Sequence, residues 1–208
     1  MQLEANHVSF RYGTQQWLFR QANFTIHAGE ILGLVGPSGV GKTTFGRTLA
    51  GYETPYEGTI TLDGVPVSTQ GYQPIQLVMQ HPEKAVNPKW KMRKTLNEGW
   101  EPDEALLAKL GIDQKWLNRW PNELSGGELQ RFCVARALGP DTRFLIADEM
   151  TTMLDAITQA QIWHAVLEIA KERNMGVLVI SHDQHLIHRL CTRIIDFNEL
   201  LDHGMVRT

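Results

Sequence analysis

The stretch Gly36-Pro37-Ser38-Gly39-Val40-Gly41-Lys42-Thr43 constrains this chain more than any other. An apolar run of strand type, Glu30 to Val35, leads into it, and helical spacing from Thr44 to Ala50 follows, closed by Gly51. A strand, a glycine-rich loop and a helix in that order call for an α/β core whose loop wraps an anion. Gly36, Gly39 and Gly41 let the backbone approach the anion and turn successive N–H groups inward. The helix N-terminus behind them adds a partial positive charge. Lys42 offers a mobile cation to the outer phosphates of a nucleoside triphosphate, and Thr43 offers a hydroxyl to Mg²⁺. Pro37, Ser38, Val40 and Thr44 complete the candidate binding segment.

Bulk properties narrow the class only by exclusion. A chain of 208 residues has room for one domain, or for one domain with a small lobe. Its net charge of −3 gives no global pull toward nucleic acid or anionic membrane, although a local basic patch is compatible with it. Apolar runs such as Val177 to Ile180 are too short to cross a bilayer, and no charged-then-apolar leader opens the chain, which predicts a cytoplasmic protein. Cys133 and Cys191 stand apart in apolar segments and read as small buried thiols.

Periodicity predicts half-buried strands at Leu3 to Phe10 and Trp17 to Ile26, then a hairpin from Gly58 to Val67 about Asp63-Gly64, then a short strand at Gln76 to Met79. Residues 81 to about 123 differ in character. They hold Trp90, Trp100, Trp116 and Trp120 together with Pro82, Pro88, Pro102 and Pro121, and read as a mostly helical insert with a helix at Asp103 to Leu110. The core then resumes with a helix (Gly127 to Leu138), a strand (Phe144 to Ala147), a long helix (Ala156 to Arg173), a strand (Val177 to Ile180), a last helix and two short terminal strands. The fold class predicted is an α/β P-loop core with an N-terminal antiparallel β subdomain and a short helical insert, about 81–135, within one nucleotide-binding domain of 1–208.

Two further segments carry chemistry. Phe144 to Ala147 is an apolar strand ending in Asp148 and Glu149, which places two carboxylates at the edge of a parallel sheet, where α/β folds bind ligands. Asp148 suits Mg²⁺ held through water, and Glu149 suits an attacking water. By itself this segment is equally an ordinary strand with a polar turn. Leu124-Ser125-Gly126-Gly127-Glu128-Leu129-Gln130-Arg131 offers a second anion cradle, a serine hydroxyl and glycine N–H groups at a helix start. The run His182, His185, His188 has metal-like spacing but no cysteine or clustered acid to complete a site.

Taken together these residues resemble the ATP-binding subunits of ATP-binding-cassette transporters, over nearly the whole chain. The resemblance implies a dimer, formed with a second such ATPase of the same or a related kind. Each ATP would lie between one phosphate loop and the partner's Ser125, Gly126, Gly127, Glu128 and Gln130, with Glu128 standing where glutamine is usual. It further implies that Tyr12 stacks on adenine, that Gln80 and Asp148 join Thr43 around Mg²⁺, and that Glu149, His182 and Gln80 serve hydrolysis. Asp155, in Thr152-Met153-Leu154-Asp155, falls on the loop lining the dimer interface, and Met150 replaces a common proline. The expected partners are transmembrane permease subunits and an extracytoplasmic solute-binding protein, at the cytoplasmic face of the membrane, with no nucleic acid.

Met79-Gln80-His81-Pro82 with Val86-Asn87-Pro88, and Arg119-Trp120-Pro121-Asn122-Glu123, look most like the peptide and nickel importer ATPases. Only 44 residues separate Gln80 from Ser125, so the insert is trimmed. The alternatives are a soluble cassette ATPase acting on DNA or ribosomes, which usually carries tandem cassettes, coiled-coil arms or Cys pairs, and a regulatory module with feeble hydrolysis.

Overall fold

The computed structural model describes residues 1–67 and 71–201. Strand β1 (Gln2–Phe10) pairs antiparallel with β2 (Phe19–His27), Leu3 opposite Ile26. Next come β3 (Ile31–Val35) and helix α1 (Lys42–Leu49). A hairpin of β4 (Glu57–Leu62) and β5 (Val65–Pro66) turns on Asp63 and Gly64, both left-handed with φ of 50 and 77°. Two positive φ values match the tight turn that right-twisted strands prefer. The antiparallel sheet runs in the order β2-β1-β4-β5.

Strand β6 (Ile75–Met79) opens the second sheet. The segment after it yields only short elements, α2 (Met92–Leu96) and α3 (Glu104–Lys109), with 3₁₀ turns at Pro82–Lys84, Gln114–Asn118 and Pro121–Glu123. Prolines at 82 and 121 start two of those turns, and Asp103 caps α3 by accepting a hydrogen bond from Leu106 N at 2.8 Å. The predicted insert is therefore more turn than helix. Helix α4 (Gly126–Ala137), strand β7 (Phe144–Asp148), helix α5 (Ala156–Arg173), strand β8 (Gly176–Ile180), helix α6 (Gln184–Leu190) and strand β9 (Arg193–Asp196) complete the chain. Asn174 ends α5 in the left-handed conformation.

The parallel sheet has the order β6-β7-β8-β3-β9 and is the middle layer. Every residue of β7 and β8 is buried, and alternate side chains enter two different cores. Leu145, Val177 and Val179 pack with Phe132 of α4, Ile162 and Val166 of α5, and Leu96, Leu106 and Leu117 of the 81–123 segment. Phe144, Ile146 and Leu178 pack with Phe45 and Leu49 of α1 and with Leu3, Phe24 and Ile26 of the antiparallel sheet. Phe45 meets Phe19, Phe24 and Phe197 edge-on, with ring centroids 5.5–5.6 Å apart.

Two expectations change. Strand β2 starts at Phe19, not Trp17, because Trp17 turns aside to pack edge-on against Tyr56 with the Arg11 guanidinium 4.7 Å from its ring centroid. Strand β9 is the first of the two expected terminal strands; a 3₁₀ turn at Phe197–Leu200 and a bridge from Leu201 to Ala22 close the described chain, and the stretch left for the second lies outside the described residues. Cys133 is buried as expected, but Cys191 is only half-buried.

Candidate functional site

The phosphate-type loop lies at the carboxyl edge of the parallel sheet, joining β3 to α1. Gly41 has φ 114°, and a Cβ there would stand 3.1 Å from both Leu18 and Phe19, so both backbone and space demand glycine. Lys42 is 9% exposed, and its Nζ donates to the loop carbonyls of Gly36 and Pro37 at 2.7 and 2.8 Å. Pro37, Ser38 and Gly39 face solvent, while Val40 is half-buried. Thr43 is exposed, and its hydroxyl donates to Asp148 Oδ1 at 3.1 Å. Burial pushes the Asp148 carboxyl above the ordinary aspartate range, against the pull of that hydrogen bond, and Glu149 next door adds to the rise.

Thr44 is buried, and its Oγ1 lies 3.2 Å from the Tyr12 hydroxyl. The Tyr12 ring is 44% exposed and meets Phe10 edge-on at 4.9 Å. This leaves an aromatic face over the start of α1, where a base could stack. Arg11 extends that surface, its guanidinium 4.7 Å from the Trp17 ring centroid and 4.3 Å from that of Tyr56.

Glu149 follows Asp148 with φ 50°, a left-handed conformation that glutamate rarely adopts. Its backbone N–H donates to Ile180 O at 2.9 Å, which fixes it against the end of β8. Four groups gather its carboxylate. Thr152 Oγ1 lies 2.6 Å and Ser181 Oγ 3.3 Å from Oε2, and His182 N and Nδ1 lie 3.0 and 2.8 Å from Oε1. Glu149 and His182 are expected from the sequence, whereas the hydroxyls of Thr152 and Ser181 are not. Ser181 could have been found from its place directly before His182 at a strand end. Met150, at the usual proline position, is buried.

Gln80 is the first residue beyond β6, and Met79 pairs with Asp148 in register, so Gln80 leaves the sheet beside the acidic pair. It lines a cavity of about 340 Å³ with Gly126, Gln130, Met150 and Leu154. A hydroxyl, a carboxylate and an amide oxygen are the hard donors that Mg²⁺ takes, so Thr43, Asp148 and Gln80 fit that ion.

The Ser125 cradle is of another kind. Ser125 Oγ accepts from Glu128 N at 3.2 Å, and Glu128 Oε2 accepts from Ser125 N at 2.7 Å, a reciprocal capping box. Ser125 and Gly126 are exposed, and a Cβ on Gly126 would meet nothing within 4 Å, whereas one on Gly127 would stand 2.9 Å from Thr158 of α5. Asp155 caps α5, accepting from Ile157 N and Thr158 N at 3.1 and 3.0 Å, and the Thr158 N–H holds its carboxyl below the usual range. With Ser125, Glu128 and Arg131 it lines a cavity of about 290 Å³. Gln130 departs from expectation. It is buried, and its Nε2 donates to Met79 O at 3.1 Å, so it faces the sheet instead of sharing the exposed cradle. His185 and His188 lie exposed on α6.

A glycine loop between strand and helix, a hydroxyl on a strand-end aspartate and a glutamate one residue further define a P-loop nucleoside triphosphatase. Residues 19–152 match the family model described as ABC transporter. The nickel import ATP-binding protein NikE of Rhodospirillum rubrum is 32% identical over 207 residues, covering 89% of this chain and 73% of its own. The oligopeptide transport ATP-binding protein AppF of Bacillus subtilis is 35% identical over 192 residues, 83% of this chain but 58% of its own. Among solved structures, the dimeric post-hydrolysis state of the ATP-binding cassette MJ0796 bound to ADP and Pi superposes with a TM-score of 0.78 over 99% of this chain and 97% of that one, at 23% identity, a likeness of fold. The chain belongs to the ABC transporter family, as an ATP-binding, ATP-hydrolysing member.

Proposed function

We propose that this chain, as one nucleotide-binding domain with a helical lobe at about 81–135, powers import through separate permease subunits. The cargo class is a peptide or a nickel complex. The names of the similar proteins support that class, as do Met79-Gln80-His81-Pro82 and Asn87-Pro88. It works at the cytoplasmic face of the membrane and is fed by an extracytoplasmic solute-binding protein. Two cassettes, identical or related, enclose two ATP molecules.

In each site Tyr12 stacks on the base and the 36–44 segment holds the phosphates. Lys42 turns from the Gly36 and Pro37 carbonyls to the β- and γ-phosphates. Thr43, Asp148 and Gln80 hold Mg²⁺, which when bound neutralises charge on those phosphate oxygens. Glu149 orients the water for in-line attack, and His182 steadies both Glu149 and the γ-phosphate. Ser125 with the N–H groups of Gly126 and Gly127 completes the partner's site, and Asp155 lies along the shared interface. Gln130, being buried, is not part of that surface.

The observation that carries the reading is the Glu149 carboxylate, gathered by His182, Thr152 and Ser181 one residue from the Thr43–Asp148 pair. Glu149→Gln is expected to bind ATP normally and to lose about a hundredfold or more of its turnover. Full turnover in that variant would end the assignment. Integral membrane proteins that co-purify with the chain from detergent extracts support a transporter, whereas ribosomes or nucleic acid would overturn it.

A further inference from the structure

Residues 84–97 carry Lys84, Lys89, Lys91, Arg93 and Lys94 and not one acid. That is a quarter of the 20 lysines and arginines, in a chain whose net charge is −3. Helix α2 holds the run in place by burying Met92, Thr95 and Leu96, with Met92 and Leu96 in the core that includes Phe132 of α4. All five cations are exposed. Met92 N donates to Arg119 O at 3.0 Å, which brings Arg119 and Trp120 alongside.

The patch is not neutralised from within. Among the described residues none of the five cations forms an ion pair with a carboxylate. The flanking acids are engaged elsewhere, Glu83 with His81 at 3.1 Å and Glu98 with Arg136 at 2.8 Å. Lys89, Lys91, Arg93 and Lys94, with Trp90, Asn97 and Asn118, line a hollow of about 540 Å³ that contains no acid. It shares no residue with the larger groove beside Tyr52, Tyr72 and Arg136. Two indoles stand among these cations. Lys94 Nζ lies 4.2 Å from the ring centroid of half-buried Trp90, and Lys91 Nζ 5.9 Å from that of exposed Trp120.

Cations at this density repel one another until an anionic surface meets them. Lysine stems laid along indole rings, with the ammonium heads outermost, are the composition of a membrane interface. A single-stranded nucleic acid would need open ring faces for base stacking, and an ammonium already covers a face of Trp90.

We propose that the 89–94 face docks on anionic phospholipid headgroups, with Trp90 and Trp120 seated at the interface. The rest of the chain is net negative and is repelled by such a surface, so the patch also fixes which way the 81–123 segment faces. This deepens the membrane-face location given above and rests on it. The lipid contact needs no permease, so the co-purification test and this one fail separately.

Sedimentation of the purified full chain with vesicles tests it, using phosphatidylcholine alone and phosphatidylcholine with about a third phosphatidylglycerol. The native chain is expected to partition onto the anionic vesicles at about 0.1 M salt, to leave them at about 0.5 M, and to ignore the neutral ones. Each cation at an anionic surface multiplies affinity roughly fivefold, so Lys91→Gln with Lys94→Gln should lower partitioning about twentyfold. Lys171→Gln with Arg189→Gln removes the same charge from exposed positions on α5 and α6 and should change it less than about threefold. Absence of partitioning by the native chain overturns the proposal, as does equal binding to neutral vesicles. An equal loss in both variant pairs also overturns it, because net charge alone would then be at work. So does a single-stranded oligonucleotide that displaces the native chain from vesicles and binds the Lys91/Lys94 variant as weakly as the vesicles do. ATP affinity and melting temperature should stay native in both variants, and an ATP failure in the native chain would sink the nucleotide reading alone. Should the first pair not fold, Lys89→Gln with Arg93→Gln takes its place.

Discussion

The two anion cradles of this chain are built on opposite plans. The loop at 36–43 is tied to the core by many contacts: glycine at 41 fits against Leu18 and Phe19, Lys42 is buried, and Thr43 bonds Asp148 from another strand. The Ser125 cradle is closed by its own capping box and by Gly127 against Thr158, and Ser125 and Gly126 stand in solvent. The first is preorganised by tertiary structure and can bind a ligand unaided. The second offers a few aligned donors and must be completed from outside. On the proposed reading, a site divided in this way makes hydrolysis conditional on assembly, while binding is not.

The largest effects should therefore separate binding from turnover. Lys42→Ala is expected to weaken ATP binding and to cut turnover by about two to three orders of magnitude, measured by fluorescent-nucleotide titration and phosphate release. If Lys42→Ala bound ATP as tightly as the native chain, the claim of a self-sufficient first cradle would fall. Ser125→Ala should lower turnover by about tenfold or more, yet leave the ATP affinity of the isolated chain unchanged. It should also cost about 1 kcal/mol of stability from the lost cap. A matching loss of ATP affinity would erase the distinction between the cradles.

Asp148 yields a smaller effect of opposite sign. Because burial raises its carboxyl, the folded chain resists ionising it, and the resulting penalty is present at neutral pH and fades as pH falls through the raised value. Asp148→Asn should then raise the melting temperature in Mg-free buffer near pH 7, and the gain should shrink on acidification while Mg-dependent turnover is lost. A gain that grew on acidification would contradict the burial argument. Tyr12→Phe should do least. It removes the 3.2 Å contact with Thr44 and keeps the ring, so affinity should change by less than about 1 kcal/mol. A loss comparable to Tyr12→Ala would show that the hydroxyl, not the aromatic face, matters at that position.

Legibility in sequence followed the range of the interactions. The loop at 36–43 and the Ser125 box are local patterns in which the residues that act together are neighbours in the chain, and both are legible in the sequence alone. Strands β7 and β8 were equally plain, since a strand buried on both faces reads as an unbroken apolar run. The contacts of Gln130 with Met79 and of Thr43 with Asp148 join residues 51 and 105 positions apart, and nothing in their spacing announces the pairing. The same holds for Ser181, 32 positions from the Glu149 carboxylate it reaches when two strand ends meet, whereas Thr152 stands only three residues beyond its target. In the 81–123 segment the prolines correctly signalled breaks, but the lengths of the pieces between them were set by packing onto α4.

Glu149 shows what such convergence costs a lineage. Its left-handed backbone carries a penalty of roughly 1–2 kcal/mol, and the bonds to Ile180, Thr152, Ser181 and His182 that hold it there also aim the carboxylate. Branched residues such as valine, isoleucine or threonine would be excluded at 149 by backbone geometry before chemistry was consulted. Glycine, asparagine or aspartate could take the shape without the reach. Among residues that tolerate this backbone, only glutamate and its amide combine the shape with the reach to the four groups, so most substitutions there lead to silence of the site more readily than to a new chemistry.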